Sequence, residues 1–82
     1  MTYMRYPQRS QQIREFVEAF IAENGYSPSV REIGAGVGLP SPGSIQPILK
    51  RMVEERILAG QPERPRTIRL GDAVIEPRTE TM

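Results

Sequence analysis

The chain has 82 residues, of which 38% are hydrophobic and 26% are charged, and its net charge is +1. This length allows one small domain, and this composition is typical of a soluble globular fold. Cysteine and histidine are both absent, which argues against disulfides, thiolate metal sites and the commonest general base. We therefore expect no metal, no cofactor, no small-molecule substrate and no enzymatic activity.

The charge is unevenly distributed along the chain. Residues 1–70 contain ten basic and seven acidic side chains, whereas residues 71–82 contain one basic and three acidic ones. We expect a domain over residues 1–70 and an acidic, flexible tail over residues 71–82. The N-terminus lacks the apolar core of a signal peptide, and no apolar run approaches the ~20 residues that span a membrane. We expect a cytoplasmic protein that makes no membrane contact.

The first predicted element is an amphipathic helix from Pro7 to Asn24. Its apolar residues recur at spacings of three and four, which places them on one helix face. These residues are Ile13, Phe16, Val17, Phe20 and Ile21. Pro7 fits the first turn, where a missing N–H costs nothing. Gly25 follows Asn24 and favours the left-handed backbone that ends a helix.

A capping box begins the second predicted helix. Ser29 stands three residues before Glu32, so that each side chain can accept a hydrogen bond from the other residue's backbone N–H. Gly34 and Gly36 lower the helix propensity by about 1 kcal/mol each relative to Ala. Packing must therefore stabilise this helix, and we expect Gly34 to allow close approach of a neighbouring helix. Gly38 ends the helix.

A third helix is predicted after a short turn. Ser41 at the N-cap and Pro42 at the first helical position indicate its start, and we expect its end near Glu55. Its buried face is formed by Ile45, Ile48, Leu49, Met52 and Val53. Pro47 lies inside this helix, where it clashes with the Gly43 carbonyl and removes a hydrogen bond. We therefore expect a kink or a late helix start.

The order of elements indicates the fold class. Two helices joined by a turn of about three to four residues that contains Gly are typical of a helix-turn-helix. Residues 57–59 and 67–70 then predict two short strands of a hairpin. The loop between them, residues 60–66, contains two prolines and two arginines. We expect a mainly α fold with a small β-hairpin, a three-helix winged helix-turn-helix.

Three segments carry a resemblance to a known family. Residues 25–33 read Gly-Tyr-Ser-Pro-Ser-Val-Arg-Glu-Ile, residues 38–41 read Gly-Leu-Pro-Ser, and residues 65–70 read Pro-Arg-Thr-Ile-Arg-Leu. In this order the chain resembles the N-terminal winged helix-turn-helix DNA-binding domain of the LexA repressor family over residues 8–70. The resemblance implies a bacterial or phage-encoded, nucleoid-associated repressor that binds a double-stranded DNA operator, singly or as a homodimer.

The resemblance also implies which side chains read base edges. The third helix would enter the major groove and present its N-terminal residues to the bases. By position, the candidate base readers are Ser41, Gly43, Ser44, Gln46 and Pro47. Gln46 is the leading candidate because its amide both donates and accepts, as adenine recognition requires. The alternatives are that Ser41 only caps the helix and that Ser44 only faces water.

Basic side chains around this helix are candidates for phosphate contacts. The predicted phosphate ligands are Arg9, Ser29, Arg31, Lys50, Arg51, Arg64 and Arg66. Arg31 lies in the first turn of the second helix, which crosses the DNA backbone in this motif. Arg64 and Arg66 frame a proline in the wing loop. Since a surface arginine is more often only solvated, we expect four of the seven to contact DNA.

The chain departs from the family pattern at three points. Pro47 changes the reading surface, so we expect an operator different from that typical of the family. Arg56 stands where the family commonly has Gly, and we expect it to adopt a left-handed backbone at some cost. LexA repressors also carry a second domain with a Ser-Lys catalytic pair, whereas the only lysine here is Lys50. We therefore expect no self-cleavage. The chain is expected to be either an excised DNA-binding domain or a free-standing regulator.

A second functional class stays open at this point. Winged helices also act as protein-protein interaction modules on polymerase or on other regulators. The acidic tail and the proline in the third helix are compatible with that alternative.

Overall fold

The computed structural model describes residues 5–72. The elements in chain order are α1 (Tyr6–Asn24), α2 (Val30–Gly36), α3 (Pro42–Glu54), β1 (Leu58–Ala59) and β2 (Arg69–Leu70). This order confirms the predicted mainly α fold with a small hairpin. Most of the predicted acidic tail lies outside the described residues. Within residues 5–72, no helix is both long enough and apolar enough to cross a membrane.

Both helix ends predicted from local chemistry are confirmed. Gly25 ends α1 in the left-handed conformation, with a φ of +79°, and its N–H donates to the Ile21 carbonyl over 2.8 Å. At the start of α2, the Glu32 N–H donates to Ser29 Oγ over 3.0 Å, and the Ser29 N–H donates to Glu32 Oε1 over 2.8 Å. Since α2 has only seven residues, it depends on packing for its stability.

The predicted start of α3 at Pro42 is confirmed. Of the two expectations for Pro47, the late helix start is therefore wrong, whereas the kink stays a prediction. The helix begins at Pro42 and continues through Pro47 to Glu54. The Ser41 carbonyl accepts hydrogen bonds from the Ser44 and Ile45 N–H groups, while the Ser41 side chain makes no capping bond. Pro47 removes the bond to the Gly43 carbonyl, and Gly43 lies at an exposed position without a side chain, so that the helix continues through Pro47.

One hydrophobic core joins the helices to the hairpin. Nine buried apolar side chains form it: Ile13, Val17, Ile33, Val37, Ile45, Leu49, Met52, Leu58 and Ile68. Every helix contributes to this core, and Leu58 and Ile68 attach the two arms of the hairpin to it. Burying a side chain of this size contributes about 1.5–3 kcal/mol. Apolar contacts, in addition to the covalent connection to α3, therefore hold the hairpin against the helices.

The hairpin is shorter than the sequence predicted. Its strands are antiparallel, and Leu58 pairs with Leu70. The Thr67 hydroxyl donates to the Gln61 carbonyl over 2.7 Å and accepts from the Gln61 N–H over 3.0 Å. This side chain, instead of a backbone ladder, closes the loop. Arg66, just before Thr67, has a φ of +55°, which takes the backbone out of the strand conformation.

The left-handed backbone predicted at Arg56 is confirmed, since its φ is +64°. Its position between α3 and β1 explains the requirement: the chain must reverse within two turn residues. The Arg56 N–H donates to the Val53 carbonyl over 3.0 Å, and the Ile57 N–H donates to the Met52 carbonyl over 2.9 Å. These bonds close the C-terminal end of α3.

Gly34 allows the turn of the helix-turn-helix to pack against α2. The Leu39 N–H donates to the Gly34 carbonyl over 2.7 Å. A Cβ atom added at Gly34 would overlap the Leu39 carbonyl oxygen and lie 3.6 Å from Ile45 Cγ2 of α3. The close approach expected at Gly34 therefore involves the turn backbone first and α3 second. Because a backbone carbonyl cannot rotate away as a side chain can, this position has no room for a larger residue.

We predict that Gly34→Ala destabilises the domain by about 1–3 kcal/mol, the range typical of overpacking. Chemical denaturation followed by circular dichroism measures this free energy of unfolding. Gly43→Ala is the matched control, since a Cβ there meets only Ser41 Oγ at 3.8 Å. In that variant the higher helix propensity of Ala should stabilise α3 by up to about 1 kcal/mol. Equal stability of the two variants would contradict the packing described.

Candidate nucleic-acid interface

The face of α3 opposite the core is an exposed stripe with little charge. Ile45, Leu49 and Met52 are at most 1% exposed, so helical geometry turns the residues between them towards solvent. The exposed residues at spacings of three, four and seven form what we call the α3 stripe: Gly43, Gln46, Pro47 and Lys50. Three of the five predicted base readers lie on this stripe.

The other two predicted base readers, Ser41 and Ser44, lie beside the stripe at the start of α3 and are also exposed. Within residues 5–72, the side chains of Ser41, Ser44 and Gln46 make no hydrogen bond to the protein. Their donors and acceptors therefore remain available to an external partner. The structure brings the five residues together at one end of α3.

Three of the predicted phosphate ligands project without a protein partner. Arg31, Lys50 and Arg64 are exposed, and within the described part of the chain their side chains form no ion pair. Arg31 and Arg64 line one cleft between α2 and the wing loop. Lys50 and Arg64 line a second cleft between α3 and the same loop. Since both clefts share residues 62–64, the α3 stripe continues from Lys50 onto the wing.

Ser29 and Glu63 also line the cleft beside Arg31. The Ser29 oxygen accepts the capping bond from Glu32, which leaves its hydroxyl proton free to donate. Glu63 lines both clefts and Glu54 lines the second, so that two carboxylates lie among the three cations. The electrostatic character of this surface is therefore positive but moderated.

The Arg9 side chain is hydrogen-bonded to other groups of the protein. It is half-buried, and its Nη1 donates to the Val37 carbonyl over 2.7 Å and to Gln12 Oε1 over 3.1 Å. The Val37 carbonyl lies at the end of α2, so that Arg9 braces α1 against the helix-turn-helix. The sequence predicted this residue as a phosphate ligand, and it carries a structural contact as well.

Arg51 belongs to a cluster that joins the end of α3 to Tyr6 at the start of α1. Its Cζ lies 3.7 Å from the centre of the Tyr6 ring, and its Nε lies 3.0 Å from Glu55 Oε2. The Tyr6 hydroxyl donates to Glu55 Oε1 over 2.7 Å. Burial, followed by the hydrogen bond to Glu55, raises the pKa of Tyr6 to about 12. The hydrogen bonds from Tyr6 and then Arg51 lower the pKa of Glu55.

Arg66 makes four contacts with the start of the helix-turn-helix. Its Nη1 donates to Glu32 Oε1 over 2.9 Å and its Nη2 donates to Glu32 Oε2 over 3.3 Å. Nη1 also donates to the Ser27 carbonyl over 3.0 Å, and Cζ lies 5.0 Å from the centre of the Tyr26 ring. The pKa of Glu32 is lowered chiefly by its hydrogen bond from Arg66.

Comparison with known proteins identifies the family. The LexA DNA binding domain matches residues 5–67, which include all three helices and most of the wing. The chain belongs to the LexA DNA-binding domain family. The winged helix-turn-helix fold predicted from the sequence is thereby confirmed.

Curated relatives support the same assignment. The LexA repressor of Bacillus cytotoxicus is 40% identical over 75 residues, which are 90% of this chain and 36% of that protein. The LexA repressor of Bacillus mycoides is 43% identical over 74 residues, 89% of this chain and 34% of that protein. The LexA repressor of Listeria welshimeri is 39% identical over 67 residues, 82% and 33% respectively. The chain spans about a third of the length of these relatives.

In this LexA-type domain, sequence reasoning missed the partners of two arginines. The Arg51–Glu55 pair has the spacing of four that favours ion pairs on a helix, and this signal was available. Tyr6 lies 49 residues from Glu55, and Arg66 lies 34 residues from Glu32. No local pattern predicts such pairs, because they depend on how α1 and the wing pack on the helix-turn-helix.

We predict that Tyr6 of the LexA-type domain ionises near pH 12, above the ordinary value of 10.0. Because the folded state raises this pKa, Tyr6 contributes its full stability below pH 10, and that contribution is lost as the pH rises through about 12. The difference in phenolate absorbance between the wild type and Tyr6→Phe, measured as a function of pH, isolates the titration of Tyr6. Glu55→Gln should lower the Tyr6 pKa only in part, because burial remains. Ionisation of Tyr6 at the ordinary pH would contradict the cluster.

Proposed function

We propose that this domain binds a double-stranded DNA operator and represses transcription, with the α3 stripe in the major groove and the wing on the phosphate backbone. One observation carries the proposal: in a LexA DNA-binding domain, an exposed α3 stripe ends at Lys50, in the cleft that Arg64 of the wing also lines. Polar groups for bases and cations for phosphates thus form one surface. No comparison supports the alternative of a protein-interaction module.

The α3 stripe supplies the groups that read bases. The Gln46 amide is unpaired within the described residues, and it can donate to and accept from adenine. The Pro47 ring is exposed and offers an apolar contact of the kind that suits a thymine methyl group. Gly43 lets the backbone approach the groove closely, and the hydroxyls of Ser41 and Ser44 can donate or accept as the base requires.

Four of the seven predicted phosphate ligands are proposed to contact DNA directly. Arg31, Lys50 and Arg64 are exposed cations without protein partners within residues 5–72, and the Ser29 hydroxyl lies in the same cleft as Arg31. Phosphate and sugar contacts fix the orientation of a protein on the duplex without reading its sequence. In this arrangement Arg9 and Arg51 stabilise the elements that carry the surface.

The relatives named LexA repressor support repression as the regulatory outcome, and we propose a cytoplasmic, non-enzymatic regulator associated with bacterial or phage DNA. A homodimer on DNA is proposed for an operator with two half-sites. In that case the half-sites lie about 10 bp apart, or a multiple of that distance, because both copies must face the same side of the duplex.

We predict two classes of variant in DNA-binding assays with the full chain. A duplex selected from a random library serves as the operator, and fluorescence anisotropy gives the Kd over a series of salt concentrations. Arg31→Ala, Lys50→Ala and Arg64→Ala should each weaken binding to all sequences and reduce the slope of log affinity against log salt by about one. Gln46→Ala should instead lose about 1–3 kcal/mol of discrimination at one base position.

Arg14→Ala is the matched control, because Arg14 pairs with Glu18 on α1 at 3.7 Å and lines neither wing cleft. Its Kd and its salt slope should equal those of the wild type. Affinity that does not fall with salt would contradict the proposed function. Uniform loss of affinity in Gln46→Ala, with base preference unchanged, would contradict the assignment of base reading to the α3 stripe.

A further inference from the structure

The wing is attached to α2 by a polar contact that we call the wing latch. It consists of Arg66, the Glu32 carboxylate, the Ser27 carbonyl and the Tyr26 ring. The two guanidinium bonds to Glu32, of 2.9 and 3.3 Å, join both oxygens of the carboxylate. A bidentate pair of this kind fixes the orientation of both groups, whereas a lysine at the same position would supply only a point charge.

The backbone at Arg66 indicates that its side chain matters. Its φ of +55° lies in the left-handed region, which is unfavourable for any residue with a Cβ. Glycine would adopt this conformation without that penalty. At Arg66, the hydrogen bonds of the side chain to Glu32 and Ser27 compensate for this backbone penalty. The left-handed turn and the wing latch therefore depend on the same residue.

The latch residues stand next to two proposed phosphate ligands in the sequence. Glu32 directly follows Arg31, and Arg66 is two residues after Arg64. The Thr67 hydroxyl, which donates to the Gln61 carbonyl, also lies 3.2 Å from the Arg64 carbonyl, so that the backbone of Arg64 lies beside the residue after Arg66. The latch therefore joins the segment that carries Arg31 to the segment that carries Arg64, and these two arginines line one cleft.

We infer that Arg66 is a positioning residue, which acts on DNA through Glu32 by fixing the wing on α2 and so setting the spacing of Arg31 and Arg64. This inference rests on the proposed function. It replaces the expectation that Arg66 itself binds a phosphate. Three of its contacts are hydrogen bonds to the protein, and its side chain is 45% exposed beside a carboxylate that neutralises its charge.

The sign of one substitution separates the two roles of Arg66. Glu32→Gln removes a negative charge from a surface that faces a polyanion, and general electrostatics therefore predicts tighter DNA binding. It also frees Arg66 for phosphate. The latch predicts the opposite, because the wing loses its attachment. Gln at position 32 retains the capping box, so α2 keeps its start.

The test measures operator affinity for the 82-residue wild-type chain and for Glu32→Gln, Arg66→Ala and the double variant. We expect each single variant to bind about two- to fivefold more weakly, and the double variant to be no weaker than either single one. Arg66→Lys should resemble Arg66→Ala, because lysine cannot form the bidentate pair. Thermal unfolding confirms that each variant is folded at the assay temperature.

Two outcomes overturn the inference. In the first, Glu32→Gln binds as tightly as the wild type or more tightly, Arg66→Ala binds more weakly, and Arg66→Lys retains its affinity. That pattern would make Arg66 a phosphate ligand. The second is wild-type affinity in all variants. Failure of the wild type to bind any duplex would instead overturn the proposed function. NMR of free protein tests the contact itself, since Arg66→Ala should raise the Glu32 pKa towards its ordinary value, and an unchanged pKa would also overturn the latch.

Discussion

The burial of one side of α3 is the constraint on which the rest of the interface depends. Ile45, Leu49 and Met52 occupy the centre of the core, and a helix that buries these positions has no freedom to rotate about its axis. The opposite side must then carry whatever the domain presents to a partner. Apolar packing in the core thus fixes the direction of the polar side chains on the opposite side of α3, although the core residues do not contact them.

The same core also aligns the wing with α3. Leu58 and Ile68 are each 1% exposed, one on each arm of the hairpin, so that the hairpin cannot swing without exposing apolar surface. The polar attachment through Arg66 and Glu32 adds a second, directional contact at the wing loop. Under the proposed function, a duplex meets two elements whose separation is set before binding, which lowers the ordering entropy lost on association.

Local chemistry predicted the elements well and their contacts poorly. Gly25, the Ser29–Glu32 capping box and the left-handed Arg56 were predictable because each involves residues close in sequence. The late helix start expected from Pro47 was wrong, since α3 begins at Pro42 and includes Pro47, whereas the kink stays a prediction. The roles of charged side chains were also beyond local reasoning, because an arginine next to DNA and an arginine paired with a distant carboxylate look alike in the sequence.

Pro47 gives the α3 stripe a property that its side chains alone would not. Because proline has no N–H, the Gly43 carbonyl lacks the donor that would normally satisfy it within the helix. Gly43 is an exposed residue, and the direction of its carbonyl is set by the helix axis rather than by a rotamer. The α3 stripe therefore contains a main-chain acceptor that requires no side-chain ordering, and a partner that covers this acceptor must offer it a hydrogen-bond donor.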